Sequence, residues 1–293
     1  MSGKRTLLIV NPGTGGDPEP AERARRTFES AGDTVDFHQP DDPSTISDLI
    51  REHGPEADRI VLGGGDGTFS HSAQALLDVG RPLGLLPLGT ANDLARTFAI
   101  PHDPERAARV VLRGGLRSID LGIVNGRPFF NVASLGFSVK VANYHTGERK
   151  KRLKLLSYPI SWLDAQRDMT PFRATLTYDG ETKTTKSTMI AVGNGVHYGG
   201  GLTIADDAAI DDGWLDVYYV KPLSALGMLK LLPFMKWGAL KRRQDVRTLR
   251  TAELHIETDP KQEINVDGDI VAETPATFSV MTRALEVYVP ATK

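Results

Sequence analysis

The feature that most constrains this chain is a strand that ends in glycines and leads straight into a helix. Residues 59–62 have the apolar pattern of a buried strand, Leu62-Gly63-Gly64-Gly65-Asp66-Gly67-Thr68 follows, and residues 69–79 have helical spacing. Glycines let a backbone turn tightly and approach a phosphate without side-chain clash. The exposed amides and the start of the helix then favour an anion. Asp66 cannot meet that anion directly, because like charges repel. It either holds a magnesium ion with its waters or orders the loop by accepting amide hydrogen bonds. The ordinary alternative is a turn that only packs strand against helix, and a lone glycine loop deserves it.

This loop is not alone. Asn11-Pro12-Gly13-Thr14-Gly15-Gly16 follows a continuous apolar run at residues 6–10, and Pro87-Leu88-Gly89-Thr90-Ala91-Asn92-Asp93 follows another at 83–86. Helical patterns at 20–31, 43–53, 69–79 and 92–98 separate strand patterns at 6–10, 34–37, 59–62 and 83–86. Such alternation implies a parallel sheet with helices on its faces. Ligands of these sheets bind at the carboxyl ends of the strands, where all three loops fall. Each loop supplies amides and two add a hydroxyl, Thr14 and Thr90, so together they can wrap one nucleotide. Singly, each is an ordinary turn, and Asn92 or Asp93 a helix cap.

Beyond about Gly115 the pattern changes. Asn125-Gly126 and Asp179-Gly180 sit between strand-like arms, the signature of tight hairpins. Further strand patterns cover 214–220, 252–257, 263–266, 277–281 and 285–289. The expectation is an α/β domain with a parallel sheet over residues 1–115. A mainly antiparallel β-sandwich follows over 116–293, interrupted by helical insertions near 138–166 and 223–243. The final strand is free to return to the first domain.

With 293 residues, 40% of them hydrophobic, the chain can build such cores. A formal net charge of -2 gives no electrostatic argument for a nucleic-acid partner. The absence of cysteine excludes disulfides and thiolate metal sites and is compatible with a reducing cytosol. No run reaches the length of a membrane span, and residues 7–10 are too short for a signal-peptide core. The expected location is cytoplasmic. Walker A, protein-kinase and zincin motifs are absent.

The three loops, in this order, resemble the diacylglycerol kinase catalytic family, which includes bacterial lipid kinases and the sphingosine and ceramide kinases. The likeness continues in Ile119-Asp120-Leu121-Gly122, in Asp207-Ala208-Ala209-Ile210-Asp211-Asp212-Gly213 and in Asn265-Val266-Asp267-Gly268-Asp269, so it covers essentially the whole chain. The resemblance implies an ATP-dependent kinase acting on a lipid hydroxyl, diacylglycerol or a related glycerolipid. It implies ATP between the domains on Gly64, Gly65, Asp66, Gly67, Thr68, Gly89, Thr90, Asn92 and Asp93, with Asn11, Pro12, Gly13, Thr14 and Gly15 beside them. It places the proton acceptor at Asp269. It also implies a structural magnesium ion held by the Asp212 carboxylate and the carbonyls of Ala209 and Trp214, hard oxygen ligands of the kind magnesium takes. From the residues alone, Asp211-Asp212-Gly213 is equally a plain acidic turn, and Asp269 equally a residue that pins a hairpin.

The chain departs from the family pattern at His71, where an acidic residue is common, at Gly16, where relatives can carry Lys, and at Asp269, one methylene shorter than Glu. An NAD kinase-like enzyme that shares the central glycine motif, or a nucleotide-binding protein with little catalysis, are the alternatives. Two mixed segments suit peripheral contact with an anionic membrane at its inner face. One runs from Arg149 through Lys154 beside Leu153, Leu155 and Leu156. The other runs from Leu229 to Trp237 and closes with Lys241-Arg242-Arg243. A packed helix with a solvated charged end is the competing reading of each. Oligomeric state stays open, a homodimer among the alternatives.

Overall fold

The computed structural model describes residues 3–12, 19–137, 170–195, 197–199, 202–203, 209–224, 227–228, 230–231, 233–234 and 239–291. The basic segment at 149–156 and the loop residues 13–16 lie outside them. The chain divides into two compact units, Met1–Leu121 with Met281–Lys293, and Gly122–Val280.

The first unit alternates as its sequence pattern implies: β1 (Arg5–Val10), α1 (Glu19–Ser30), β2 (Thr34–His38), α2 (Ile46–His53), β3 (Arg59–Gly64), α3 (Asp66–Val79), β4 (Leu83–Pro87), α4 (Asp93–Thr97) and α5 (Pro104–Arg113). The strands pair in parallel in the order β2-β1-β3-β4, with Leu7 against Asp36, Leu8 against Val61 and Leu62 against Leu85. β1, β3 and β4 are apolar because helices cover both faces, so every residue of β3 and β4 is buried. α3 starts at Asp66, three residues before the apolar spacing suggests. Gly65 is extended (φ -98°, ψ -176°), and the Asp66-Gly67-Thr68 stretch forms the first turn of the helix. The helix ends where Gly80 turns left-handed at φ 65° and its amide bonds to Leu76.

One buried cation fastens this unit. Arg59, at the start of β3, ion-pairs with Asp33, and both side chains are almost fully buried. Its Nε donates to Thr6 Oγ1 at 2.8 Å and its Nη1 to the Val111 carbonyl at 3.2 Å, while Phe28 and Tyr288 lie against the guanidinium. One side chain therefore links β1, β3, α1, α5 and the last strand.

The strands that follow are β5 (Gly115–Val124), β6 (Arg127–Phe129), β7 (Val132–Gly136), β8 (Phe172–Tyr178), β9 (Glu181–Ser187) and β10 (Met189–Gly193). After them come β11 (His197–Gly199), β12 (Leu202–Thr203), β13 (Leu215–Val220), β14 (Val246–Thr251), β15 (Glu253–Asp259), β16 (Glu263–Val266), β17 (Asp269–Glu273) and β18 (Ala276–Val289). Within the second unit β18, β15, β8 and β9 form one antiparallel sheet, and β14-β13-β10-β7-β16-β17 another. Between them Phe129, Leu135, Phe172, Leu176, Ile190, Val217, Ile256 and Phe278 form a buried core, a sandwich as expected. Asn125-Gly126 and Asp179-Gly180 are the tight hairpin turns, each with two successive positive φ angles.

Three details differ from the sequence pattern. Residues 181–192 form two strands in different sheets, because at Ser187 and Thr188 the chain crosses over. The Ser187 hydroxyl bonds to the Met189 and Val220 carbonyls there. The two final strand patterns are one strand, β18, whose last residues belong to the first unit and place Val287 beside Leu83 of β4. β14 has no apolar alternation to announce it, since only its two ends are buried. Of the second mixed segment, Phe234 packs against a core under the six-stranded sheet, with the Arg243 guanidinium 5.1 Å from its ring. At that residue the packed reading holds. Among the described residues no helix is long and apolar enough to cross a membrane.

Removing one member of a buried ion pair strands the other charge, which costs about 3–5 kcal/mol. Arg59→Met is therefore expected to lower the unfolding free energy of the first unit by about that amount, measured by urea denaturation. A loss under about 1 kcal/mol would mean that Asp33 finds another partner or neutralises.

Candidate active site

The exits of β1, β3 and β4 meet at the carboxyl end of the parallel sheet. The Asn11 amide donates to the Gly63 carbonyl at 2.8 Å, and its Nδ2 donates to Thr68 Oγ1 at 2.9 Å. This fastens the exit of β1 to the first turn of α3. On the other side the Leu88 amide bonds to the Gly64 carbonyl at 2.9 Å. Gly65 and Gly89 then touch backbone to backbone. A Cβ on Gly89 would lie 2.5 Å from the Gly65 Cα and 2.8 Å from Asn92 Oδ1, and a Cβ on Gly65 would lie 3.2 Å from the Gly89 Cα. Glycine is needed at position 89 for this close approach, and a side chain at position 65 would be tight.

Asp66 serves the same junction. Its Oδ1 accepts the Leu94 amide at 3.0 Å, so the first residue of α3 caps the start of α4. Of the two roles open to it on sequence grounds, this is the ordering one. Asn92 turns left-handed (φ 51°) and clasps the loop. Its Oδ1 accepts the Gly89 amide at 2.9 Å, and its Nδ2 donates to the Gly89 carbonyl at 2.8 Å. Asn92 and Asp93 are buried, whereas Gly67 and Thr90 are exposed. A Cβ on Gly67 would meet nothing within 4 Å. α3 runs for 14 residues and its first amides have no acceptor within the helix. They and the exposed Gly67 and Thr90 form a surface suited to an anion.

His71 lies one turn into α3, with its Nδ1 2.7 Å from the Gly67 carbonyl. A carbonyl only accepts, so Nδ1 carries the proton. His71 thus supports the loop from behind.

In the second unit Asp269 is exposed and opens β17, directly after the turn Asp267-Gly268, whose φ angles are 47° and 115°. The organising residue of this hairpin is Asp267, which sequence inspection passed over. Its carboxylate accepts the amides of Phe130, Asn131 and Val132 at 3.0, 3.1 and 3.0 Å, and its own amide donates to the Val132 carbonyl at 3.0 Å. The signal was the positive-φ Asp-Gly pair itself, but nothing in the sequence announces partners more than 130 positions away.

Asp212 is also an amide acceptor. Its Oδ2 takes the Ala209 amide at 3.2 Å and its Oδ1 the Trp214 amide at 3.0 Å, and the Arg250 guanidinium sits on Oδ2. Arg250 also lies 3.7 Å from Asp216. The resemblance gives this carboxylate to magnesium together with the carbonyls of Ala209 and Trp214. The amides of those residues bond it as well, and the Arg250 guanidinium is its present cation. A carboxylate and two carbonyl oxygens are hard donors of the kind magnesium takes, with Arg250 as the competing cation.

Two family models cover the chain: the diacylglycerol kinase catalytic domain over residues 5–124, and the YegS C-terminal NAD kinase beta sandwich-like domain over residues 131–289. A diacylglycerol kinase of Mycobacterium tuberculosis is 34% identical over 244 residues, 80% of this chain and 77% of that protein. A diacylglycerol kinase of Bacillus subtilis is 27% identical over 296 residues, 99% of this chain and 98% of its own. The structure of a candidate diacylglycerol kinase from Bacillus anthracis superimposes with a TM-score of 0.84 at 25% identity, covering 98% of this chain and 95% of that one. The fold and the family models are those of a kinase. The chain belongs to the diacylglycerol kinase/YegS lipid kinase family.

The close approach of Gly65 and Gly89 makes a prediction about folding alone. Overpacking a tight contact costs about 1–3 kcal/mol, so Gly89→Ala is expected to melt clearly below the parent protein. Gly67→Ala, which adds a methyl to open space in a helix, is expected to melt at or slightly above it. Calorimetry on both variants checks the contrast, and equal melting temperatures would show that the two loops separate without cost.

Proposed function

We infer that the chain transfers the γ-phosphate of ATP to a hydroxyl of a lipid, diacylglycerol or a related glycerolipid. The observation that carries this is the fastening of the β1 exit and two glycine-rich strand ends to one another, in a chain that matches both family models along its length. ATP enters with magnesium as its substrate complex. The amides at the start of α3, with Gly64, Gly65, Gly67 and Thr68, receive its phosphates. Asn11 and Pro12 flank them from β1, and Gly89, Thr90, Asn92 and Asp93 from β4; Gly13, Thr14 and Gly15 join them on the family resemblance alone. Asp66 holds the second and third loops in register through Leu94. That keeps its own charge engaged with an amide beside the incoming polyanion.

Asp269 takes the proton of the acceptor hydroxyl as its oxygen attacks the γ-phosphorus. The P–O bond to the β-phosphate breaks, and ADP leaves with that electron pair. Phosphoryl transfer relies mainly on positioning and charge stabilisation through a loose transition state, so a base one methylene shorter than Glu suffices. Asp269 is exposed and begins a strand whose turn is anchored by Asp267, which supports a carboxylate presented on a fixed backbone. The relatives' names support lipid as the acceptor class. The basic and apolar residues at 149–156 support transient contact with an anionic membrane surface, where such an acceptor resides.

A panel assay with labelled ATP against diacylglycerol, phosphatidylglycerol, a sphingoid base and NAD tests the reading. Label is expected in a glycerolipid product. Label in NAD alone would move the chain to a small-molecule kinase, and ATP binding without transfer would make it a nucleotide-binding protein. Asp269→Asn is expected to lower kcat by about 10²–10⁴-fold while ATP affinity is unchanged. Unaltered turnover would remove Asp269 from the mechanism. In flotation, the protein is expected to bind vesicles containing phosphatidylglycerol and to stay free of pure phosphatidylcholine. Equal recovery with both removes the electrostatic part of the membrane reading.

A further inference from the structure

A second cluster of reactive side chains lies on the first unit, at its outer strand. β2 is the edge of the parallel sheet, and Asp36 and His38, two residues apart, share one of its faces. His53, in the last turn of α2, reaches the same face. One carboxylate holds both imidazoles: Asp36 Oδ1 lies 2.8 Å from His38 Nε2, and Asp36 Oδ2 lies 2.9 Å from His53 Nδ1. The two rings are 4.3 Å apart, centroid to centroid, and tilted by 56°.

We propose that Asp36, His38 and His53 form a binding site for a divalent transition-metal ion of the zinc class. One donor atom from each residue lies within 4.8 Å of the other two. A tetrahedral zinc ion with ligand bonds of 2.0–2.1 Å spaces its donors by about 3.3 Å, so small rotations of three partly exposed side chains close the set. The nitrogen donors select zinc, nickel or copper over magnesium and calcium, which take oxygen. The local charge suits a dication as well. Asp36 supplies one carboxylate, and Glu52 lies 4.0 Å from His53 Nε2. The metal takes the place of the contacts the two rings now make with Asp36, binding each ring through an unprotonated nitrogen and leaving the other nitrogen to carry that ring's proton. Water completes the coordination of this three-ligand site at the surface.

The position gives the ion a consequence. Its ligands come from an edge strand and from the end of a helix, so a bound ion pins α2 to β2. Whatever binds only the folded state stabilises it in proportion to the logarithm of its concentration over Kd. The site is independent of the phosphate-facing loops and does not rest on the kinase reading.

The test uses the tag-free full-length protein, stripped with a chelator and titrated with zinc chloride in a calorimeter. One ion per chain is expected, with a rise in melting temperature that grows with zinc concentration. Loss of a supporting residue around a metal already costs 10–100-fold in affinity, so His38→Ala and His53→Ala should each weaken binding by at least about 10-fold. His255→Ala, which alters a histidine that bonds instead to Thr277, should not. Chemical modification of histidines in the unmutated protein, read by mass spectrometry, keeps the test independent of whether the variants fold. Zinc should protect His38 and His53 and leave His255 reactive. No saturable binding, binding that survives both alanine variants, or protection that spares neither ring would overturn the proposal.

Discussion

The contact between Gly65 and Gly89 is the constraint on which the candidate active site depends. Two strand ends of a parallel sheet are held roughly 5 Å apart by their ladder, and their loops ordinarily diverge to make room for side chains. Here the loops after β3 and β4 converge until backbone meets backbone, with no room for a Cβ on Gly89. Everything else at this end of the sheet is arranged to keep that contact closed. The Leu88 amide is tied to Gly64, Asp66 reaches over to the Leu94 amide, and Asn92 folds its own loop with two hydrogen bonds. Within the first turn of α3 the Thr68 and Phe69 amides close on the Gly65 carbonyl at 3.0 and 3.3 Å, so the junction is satisfied from within.

Short carboxylates do the same work at three of the loops. Asp66 accepts one amide across a loop junction, Asp267 accepts three from residues 130–132, and Asp212 accepts two and a guanidinium. A charged acceptor makes stronger bonds to amides than a neutral one. It can therefore hold an irregular stretch of chain that has no ladder to satisfy its backbone. Asp-Gly motifs thus have a double reading. In the turn at Asp267 the first carboxylate organises the backbone, and the second, Asp269, is exposed at the start of β17. At Asp212 the organising role and Arg250 together occupy the carboxylate that the family likeness assigns to metal.

The legible part of the fold is the part governed by local pattern. Continuous apolar runs announced β1, β3 and β4, since strands covered on both faces have no polar residues to alternate. Asn125-Gly126 and Asp179-Gly180 announced their turns because positive φ at both positions restricts which residues fit. What escaped was set by distant partners. β14 is mostly exposed and polar, so its place in the sheet comes from pairing with β13, as in Val217 against Leu249. The crossover at Thr188 interrupts no apolar pattern, because the residues on both sides of it belong to strands. The glycine loop itself was legible as a junction between a buried strand and a helix. Its stiffness was not, because that comes from the Leu94 amide and the Asn11 side chain, far from it in sequence.

His71 shows how a departure from a family pattern can be read physically. A carboxylate at this position, one turn after Gly67, can only accept hydrogen bonds, and so would have to look for an amide or a metal-bound water. An imidazole with its proton on Nδ1 donates, and the Gly67 carbonyl takes that proton at 2.7 Å. The Thr68 amide, which shares a peptide group with that carbonyl, is already bonded to the Gly65 carbonyl at 3.0 Å, so His71 and Gly65 together satisfy this peptide from both sides. The exchange of an acidic side chain for His71 thus removes a negative charge from the first turns of α3 and turns a group that would compete for cations into a donor to the backbone. Beside the positive partial charge at the start of a helix, the exchange favours an anion there.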